Sequence, residues 1–234
     1  MLTPEVSMSQ LSTLGFLSPD GRSYAFDSRA NGYAKGEGLG MVVLKRVEDA
    51  IRDGDTIRAI IRSTSINQDG RTPGITQPSI NAQAENIRHA YEAAGLNLDD
   101  TKYFETHGTG TIIGDSFEAQ AIHKTFQRAP ENPLYIGALK ASIGHLEAGA
   151  GIAATIKSVL ILENGIIPPI AGFENPNPSI PFDEWNLKVS CERIFIWGRI
   201  WLIECSCSNI IYRIQVNFGK LASTALGTGE VTLI

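Results

Sequence analysis

The chain has 234 residues, of which 43% are hydrophobic and 19% charged, and its net charge is −5. That composition fits a globular domain and excludes a disordered chain. The acidic balance leaves no basic footprint for nucleic acid.

Residues 1–38 are rich in Gly, Ser and Asp, with a turn at Ser18-Pro19-Asp20-Gly21. Interleaved aromatics make this region a set of ordered loops rather than a linker. Gly40 to Leu44 reads as a short apolar strand, and Val47 to Arg52 as a short helix. Thr56 to Ile66 is β-rich and runs into a turn at Asn67-Gln68-Asp69-Gly70. Ser79 to Ala94 is helical, with Ile80, Ala84, Ile87, Tyr91 and Ala94 on one face and Gly95 as its stop.

The central stretch is Phe104-Glu105-Thr106-His107-Gly108-Thr109-Gly110-Thr111-Ile112-Ile113-Gly114-Asp115. Tyr103, Phe104 and Thr106 are strand formers, and the glycines after them let a ligand approach the main chain. Asp115 and Glu118 have capping-box spacing, which predicts a helix from Asp115 to about Arg128. Tyr135, Ile136, Ala138 and Leu139 form a second strand that leads into Lys140-Ala141-Ser142-Ile143-Gly144-His145. One strand–helix–strand step separates the two histidines, so both are expected at one sheet edge with Lys140 beside them. The following helix carries Ile152, Ile156, Val159 and Leu160 as its core stripe. Residues 163–182 read as a Pro- and Asn-rich loop.

Alternating strands and helices predict a mostly parallel sheet covered on both faces. From about Gly198 the pattern degrades, and Lys220 to Ile234 shows no periodicity. Arg199 and Glu204 interrupt the apolar run around Trp201, which argues against a membrane span. Cys191, Cys205 and Cys207 form no disulfide framework, so a reducing, cytoplasmic location is expected. The start, Met1-Leu2-Thr3-Pro4-Glu5, shows no signal peptide.

The ordered motifs resemble the β-ketoacyl synthase (ketosynthase) domain of type I polyketide synthases over roughly residues 1–197. They are Gly15-Phe16-Leu17-Ser18-Pro19-Asp20-Gly21, Phe26-Asp27-Ser28-Arg29-Ala30-Asn31-Gly32-Tyr33, Gly36-Glu37-Gly38 and Asn67-Gln68-Asp69-Gly70. The series continues with the Glu105–Thr111 run, Gly114-Asp115, Lys140–His145 and Phe173-Glu174-Asn175-Pro176-Asn177-Pro178. The resemblance implies an α/β, thiolase-like layered α-β-α-β-α fold, here incomplete, with most of the N-terminal half missing. Residues 1–54 would end that half, 55–197 would be the C-terminal half, and 198–234 an aberrant tail.

The resemblance also implies an acyltransferase that joins an acyl thioester to malonyl held on an acyl carrier protein, with loss of carbon dioxide. His107 and His145 would be the catalytic histidines and Lys140 the nearby lysine. Thr109 and Thr111 would contact the phosphopantetheine arm, which the carrier supplies; no bound cofactor and no metal is expected. Family members are homodimers, with no nucleic-acid or membrane partner.

Two imidazole N–H donors aimed at a developing enolate oxygen suit that chemistry. The family's nucleophile lies in an Asp-Thr-Ala-Cys-Ser-Ser type run, which these residues do not contain. None of the three cysteines has the strand-to-helix setting that activates a thiol. The chain is therefore not expected to complete condensation by itself, and a non-catalytic module that binds a carrier protein or a partner ketosynthase is the alternative. Glu147, His107 and Asp115 match no short metal motif. His89 and His123 carry no expected role. Asn67, Gln68 and Asp69 either form a plain turn or shape a pocket mouth.

Overall fold

The computed structural model describes residues 5–74, 77–196, 200–207, 210–217 and 231–233, and for 200–207 and 210–217 the backbone course alone is used. The elements begin with α1 (Glu5–Thr13), β1 (Leu44–Arg46), α2 (Val47–Asp53), β2 (Ala59–Ile66) and α3 (Ile80–Ala94). They continue with β3 (Thr101–Glu105), α4 (Ile112–Phe126), β4 (Leu134–Gly137), α5 (Lys140–Ile143) and α6 (Ala150–Asn164). The last are β5 (Ile166–Ile167), β6 (Leu187–Val189), β7 (Ile194–Phe195), β8 (Ile200–Cys207), β9 (Ile210–Asn217) and β10 (Val231–Leu233).

One sheet has the order β1-β10-β2-β9-β8-β3-β4-β6. The pairs β8–β3, β3–β4 and β4–β6 are parallel, and the four pairs from β1 to β8 are antiparallel. The sheet is thus mixed, not mostly parallel as the alternation suggested. The reason is non-local: β8 and β9, from the stretch without a readable pattern, form an antiparallel pair between β2 and β3. The side chains of Cys205 and Cys207, and the whole of Lys220 to Glu230, lie outside the described residues.

Helices cover both faces, because consecutive strand residues point to opposite sides. On one side Phe104 packs with Ile87 of α3, Ile122 and Phe126 of α4, and Ile136 of β4. On the other, Tyr103 packs with Ala59, Val159, Ile161 and Leu162, the last three from α6. The Ser79 hydroxyl caps α3 by accepting from the Ala82 N–H at 3.2 Å, and Gly95 ends it in the left-handed region.

Three local expectations change. β1 begins at Leu44, whereas Leu39, Met41 and Val43 are exposed. The buried stripe of α6 is Ala154, Thr155, Ser158, Val159, Ile161 and Leu162, so Ile156 and Leu160 face outward. A helix apolar around most of its circumference leaves its rotation to be decided by its neighbours, and Ile152 and Ile156 lie beside Gly40. Finally, α4 starts at Ile112, one turn before Asp115. No capping box forms, because the Asp115 and Glu118 carboxylates are drawn to loop N–H groups elsewhere.

Candidate active site

His107 follows the C-terminal end of β3, and His145 follows α5 beyond the neighbouring strand β4. Their ring centroids are 5.5 Å apart and the planes lie at 85°. Both rings line a cavity of about 350 Å³ together with Tyr33, Thr109, Thr111 and Phe16. That volume lies in the range of small-ligand sites. The Thr109 and Thr111 hydroxyls are 3.2 Å apart. Lys140 is 4% exposed and lines an adjoining cavity with Arg22 and Lys35, not the histidine cavity itself.

Two carboxylates build the His107 loop. Glu118 accepts from the His107 N–H at 2.6 Å and from the Gly108 N–H at 2.9 Å. Asp115 accepts from Gly110 N–H at 3.1 Å and reaches across to Phe26 N–H at 2.7 Å. Burial pushes both acids up, Asp115 to about 7, against the pull of those backbone donors. The capping-box spacing of the pair predicts helix capping, which neither carboxylate performs. Their spacing was the available signal, but it does not say which backbone they serve.

The segment from Phe26 to Gly38 straps both histidine loops. Gly32 N–H donates to Gly110 O at 3.0 Å, His145 N–H to Ala34 O at 2.7 Å, and Gly36 N–H to His145 O at 3.1 Å. A Cβ at Gly36 would fall on the Ile143 carbonyl oxygen, so the close crossing requires glycine there. The Glu147 N–H donates to His145 Nδ1 at 2.9 Å. That bond makes Nδ1 the acceptor and leaves the proton of the neutral ring on Nε2. Glu147 itself pairs with Lys35. Tyr33 lies against His145, with ring centroids 5.1 Å apart.

Both imidazoles are held neutral. Burial lowers His107 well below its ordinary value, with the Lys140 charge and then His145 adding to the shift. Burial lowers His145 to about 4; Lys140 and Lys35 add to this and Glu147 opposes it. The site can therefore present two neutral N–H donors, with a buried cation nearby, to an oxygen that gains charge.

The remaining candidates lie elsewhere. Cys191 is exposed just beyond β6 and does not line the histidine cavity. His123 stacks on Trp185 at 4.9 Å. Asp69 lies on the wall of the cavity, whereas Asn67 donates from its side chain to Ala82 O at 2.6 Å. Among the described residues no cluster of three or more His, Cys, Asp or Glu can hold a metal ion. Among them too, no helix is long and apolar enough to cross a membrane.

Comparison with known proteins follows the same lines. Residues 58–174 match the family described as "Beta-ketoacyl synthase, C-terminal domain", and residues 1–50 its N-terminal domain. The chain is 59% identical over 180 residues to "Highly reducing polyketide synthase 40" of Fusarium mangiferae, covering 76% of this chain and 7% of that protein. It is 56% identical over 188 residues to "Partially reducing polyketide synthase men1" of Menisporopsis theobromae, covering 79% and 7%.

Among solved structures, the ketosynthase from module 6 of the bacillaene synthase from Bacillus subtilis 168 superposes with a TM-score of 0.84 at 37% identity. That match covers 94% of this chain and 41% of the other. The oxazolomycin ketosynthase domain of Streptomyces albus JA3453 gives 0.85 at 31%, covering 95% and 41%. The chain thus spans less than a tenth of those curated relatives and about two fifths of those solved ketosynthases. The thiolase-like layered fold and the ordered motifs agree: the chain belongs to the β-ketoacyl synthase family, as a ketosynthase of the kind carried by type I polyketide synthases.

Proposed function

We propose that the chain performs the malonyl half of a decarboxylative Claisen condensation on a carrier-bound substrate. The observation that carries this reading is the convergence of two neutral imidazoles, 5.5 Å apart, in one cavity. The malonyl C–C bond to carboxylate breaks, carbon dioxide leaves, and the electron pair becomes an enolate with its charge on the thioester oxygen. His107 and His145 donate to that oxygen. The enolate carbon then attacks an acyl thioester and expels the thiol.

The Lys140 charge adds to burial in keeping both rings neutral. The Thr109 and Thr111 hydroxyls hold the amides of a phosphopantetheine arm brought by an acyl carrier protein. No cofactor of the chain's own enters these steps. The partners are the carrier protein, malonyl and acyl thioesters, and a second ketosynthase copy, in a cytoplasmic setting. Residues 1–54 and 55–197 would act as the closing and C-terminal parts of the two family halves.

The family's cysteine run does not occur in these residues, so the step they can perform themselves is decarboxylation, with the enolate taking a proton. Carbon dioxide release from malonyl carried by an acyl carrier protein tests this. His107→Ala and His145→Ala should each slow release about 100-fold or more, the effect of one lost oxyanion donor. Release unchanged in both variants refutes the assignment. The same lack of the cysteine run favours a second reading, a non-catalytic module that captures a carrier protein. Carrier capture without carbon dioxide release would establish it.

A further inference from the structure

One buried charge near the histidines contributes nothing to the cavity wall. Glu105, at the end of β3, is 0% exposed. Its Oε2 accepts from Lys157 Nζ of α6 at 2.6 Å and from the Tyr103 hydroxyl. Lys157 also donates to the Tyr103 hydroxyl at 2.9 Å, over the same ring. The other oxygen, Oε1, accepts from the Leu139 N–H at 2.6 Å, the residue before Lys140. Gly137 makes the arrangement possible, because a Cβ there would fall on the Tyr103 hydroxyl.

The carboxylate therefore joins three elements. β3 continues within two residues into His107. The Leu139 turn leads through α5 into His145. α6 follows His145 and fixes the far end of the same loop. A buried ion pair is weak ground for stability by itself, because desolvation offsets the attraction. Its use here is geometric: one oxygen is fixed by Lys157 and Tyr103, so the other is aimed at a single backbone N–H.

We propose that Glu105 is a positioning residue whose carboxylate, braced by Lys157 and Tyr103, holds the Leu139 N–H and so sets the separation of the His107 and His145 rings. The proposal rests on the two histidines acting together, as described above, and its test separates the two claims. Glu105→Asp keeps the charge beside Lys157 but shortens the reach to Leu139 by one methylene. Glu105→Gln keeps the reach, with its one carbonyl oxygen on the Leu139 N–H and its NH2 donating to the Tyr103 hydroxyl, and leaves Lys157 without its counter-charge. Positioning and stability thus predict opposite orders.

Four quantities are read on the 234-residue chain. They are the nuclear Overhauser contact between the two histidine rings, kcat and KM for carbon dioxide release, and the thermal midpoint. The midpoint should fall more in Glu105→Gln than in Glu105→Asp. The ring contact should instead be lost in Glu105→Asp and kept in Glu105→Gln. In Glu105→Asp kcat should fall by up to about 100-fold, the effect of a misplacement of roughly 1 Å, with KM little changed.

Ring contact and kcat that follow the thermal order overturn the proposal. If the ring contact behaves as expected while His107→Ala leaves carbon dioxide release unchanged, positioning stands and the proposed chemistry fails. Should either carboxylate variant fail to fold, Tyr103→Phe removes one brace and nothing charged. It should weaken the ring contact, and a contact of unaltered strength would overturn the proposal.

Discussion

Glu118→Gln is the substitution whose effect the structure constrains most closely. The wild-type carboxylate takes one backbone N–H on each oxygen, His107 at 2.6 Å and Gly108 at 2.9 Å. Glutamine keeps one acceptor and turns an amide NH2 toward the other N–H. One charge-assisted bond is lost, worth about 1.5–3 kcal/mol, and a buried donor is left facing a donor. Removing a carboxylate that burial disfavours returns part of that cost, so the net loss should be about 1–3 kcal/mol. For a chain of this size that lowers the thermal midpoint by roughly 3–10 °C. Urea unfolding is the assay: the midpoint should move to lower urea with the slope unchanged, because the unfolded surface is the same. Carbon dioxide release should fall with it, since the His107 backbone is what Glu118 holds. A urea midpoint equal to that of the wild type at neutral pH would refute the reasoning.

Stability should respond to pH in two opposed ways. His145 has a folded value of about 4 against 6.5 when free, so its contribution is lost as pH falls from 6.5 toward 4 and is constant above 6.5. Allowing for its partial solvent contact, this is about 1–2 kcal/mol, and His107 adds in the same direction. Asp115 does the reverse: its value is raised from 3.8 to about 7, so its contribution falls as pH rises through that interval. Urea midpoints across pH 4–8 should show a steeper rise for Asp115→Asn than for the wild type, and equal slopes would contradict the assignment. Gly137→Ala should cost about 1–3 kcal/mol in the same unfolding assay, because the new methyl displaces the Tyr103 hydroxyl from Glu105. Leu39→Gln with Met41→Gln should raise solubility and leave the unfolding midpoint alone, since those side chains are 88% and 84% exposed.

What the sequence disclosed followed local rules. The helix at Ile80–Ala94 carried its stop glycine and its apolar spacing in plain view, and the structure uses both, with Ser79 as the cap rather than the first helical residue. His107 and His145 were placed together by the strand–helix–strand step between them, and they meet. What stayed hidden depended on distant partners. Asp115 and Glu118 sit where capping is expected, yet their oxygens serve Phe26, Gly110, His107 and Gly108. The rotation of α6 was misread because a mostly apolar helix does not mark its buried side. The places of β8 and β9 between β2 and β3 arise from pairing with strands far away in the chain. Strand propensity reports a fit to neighbours more than a backbone preference, so it could not reveal them. Glu105 read as one letter of a motif, and nothing local showed that it reaches Leu139 and Lys157.

The central claim is that two imidazoles share one oxygen. A structure of the chain with a malonyl-pantetheine analogue, its thioester sulfur replaced by methylene, tests it most directly. The analogue's carbonyl oxygen should lie about 3 Å from Nε2 of His145 and equally close to a ring nitrogen of His107. The Thr109 and Thr111 hydroxyls should meet the amides of the arm. An oxygen that touches one ring or neither, with the arm bound outside the cavity, would contradict the account.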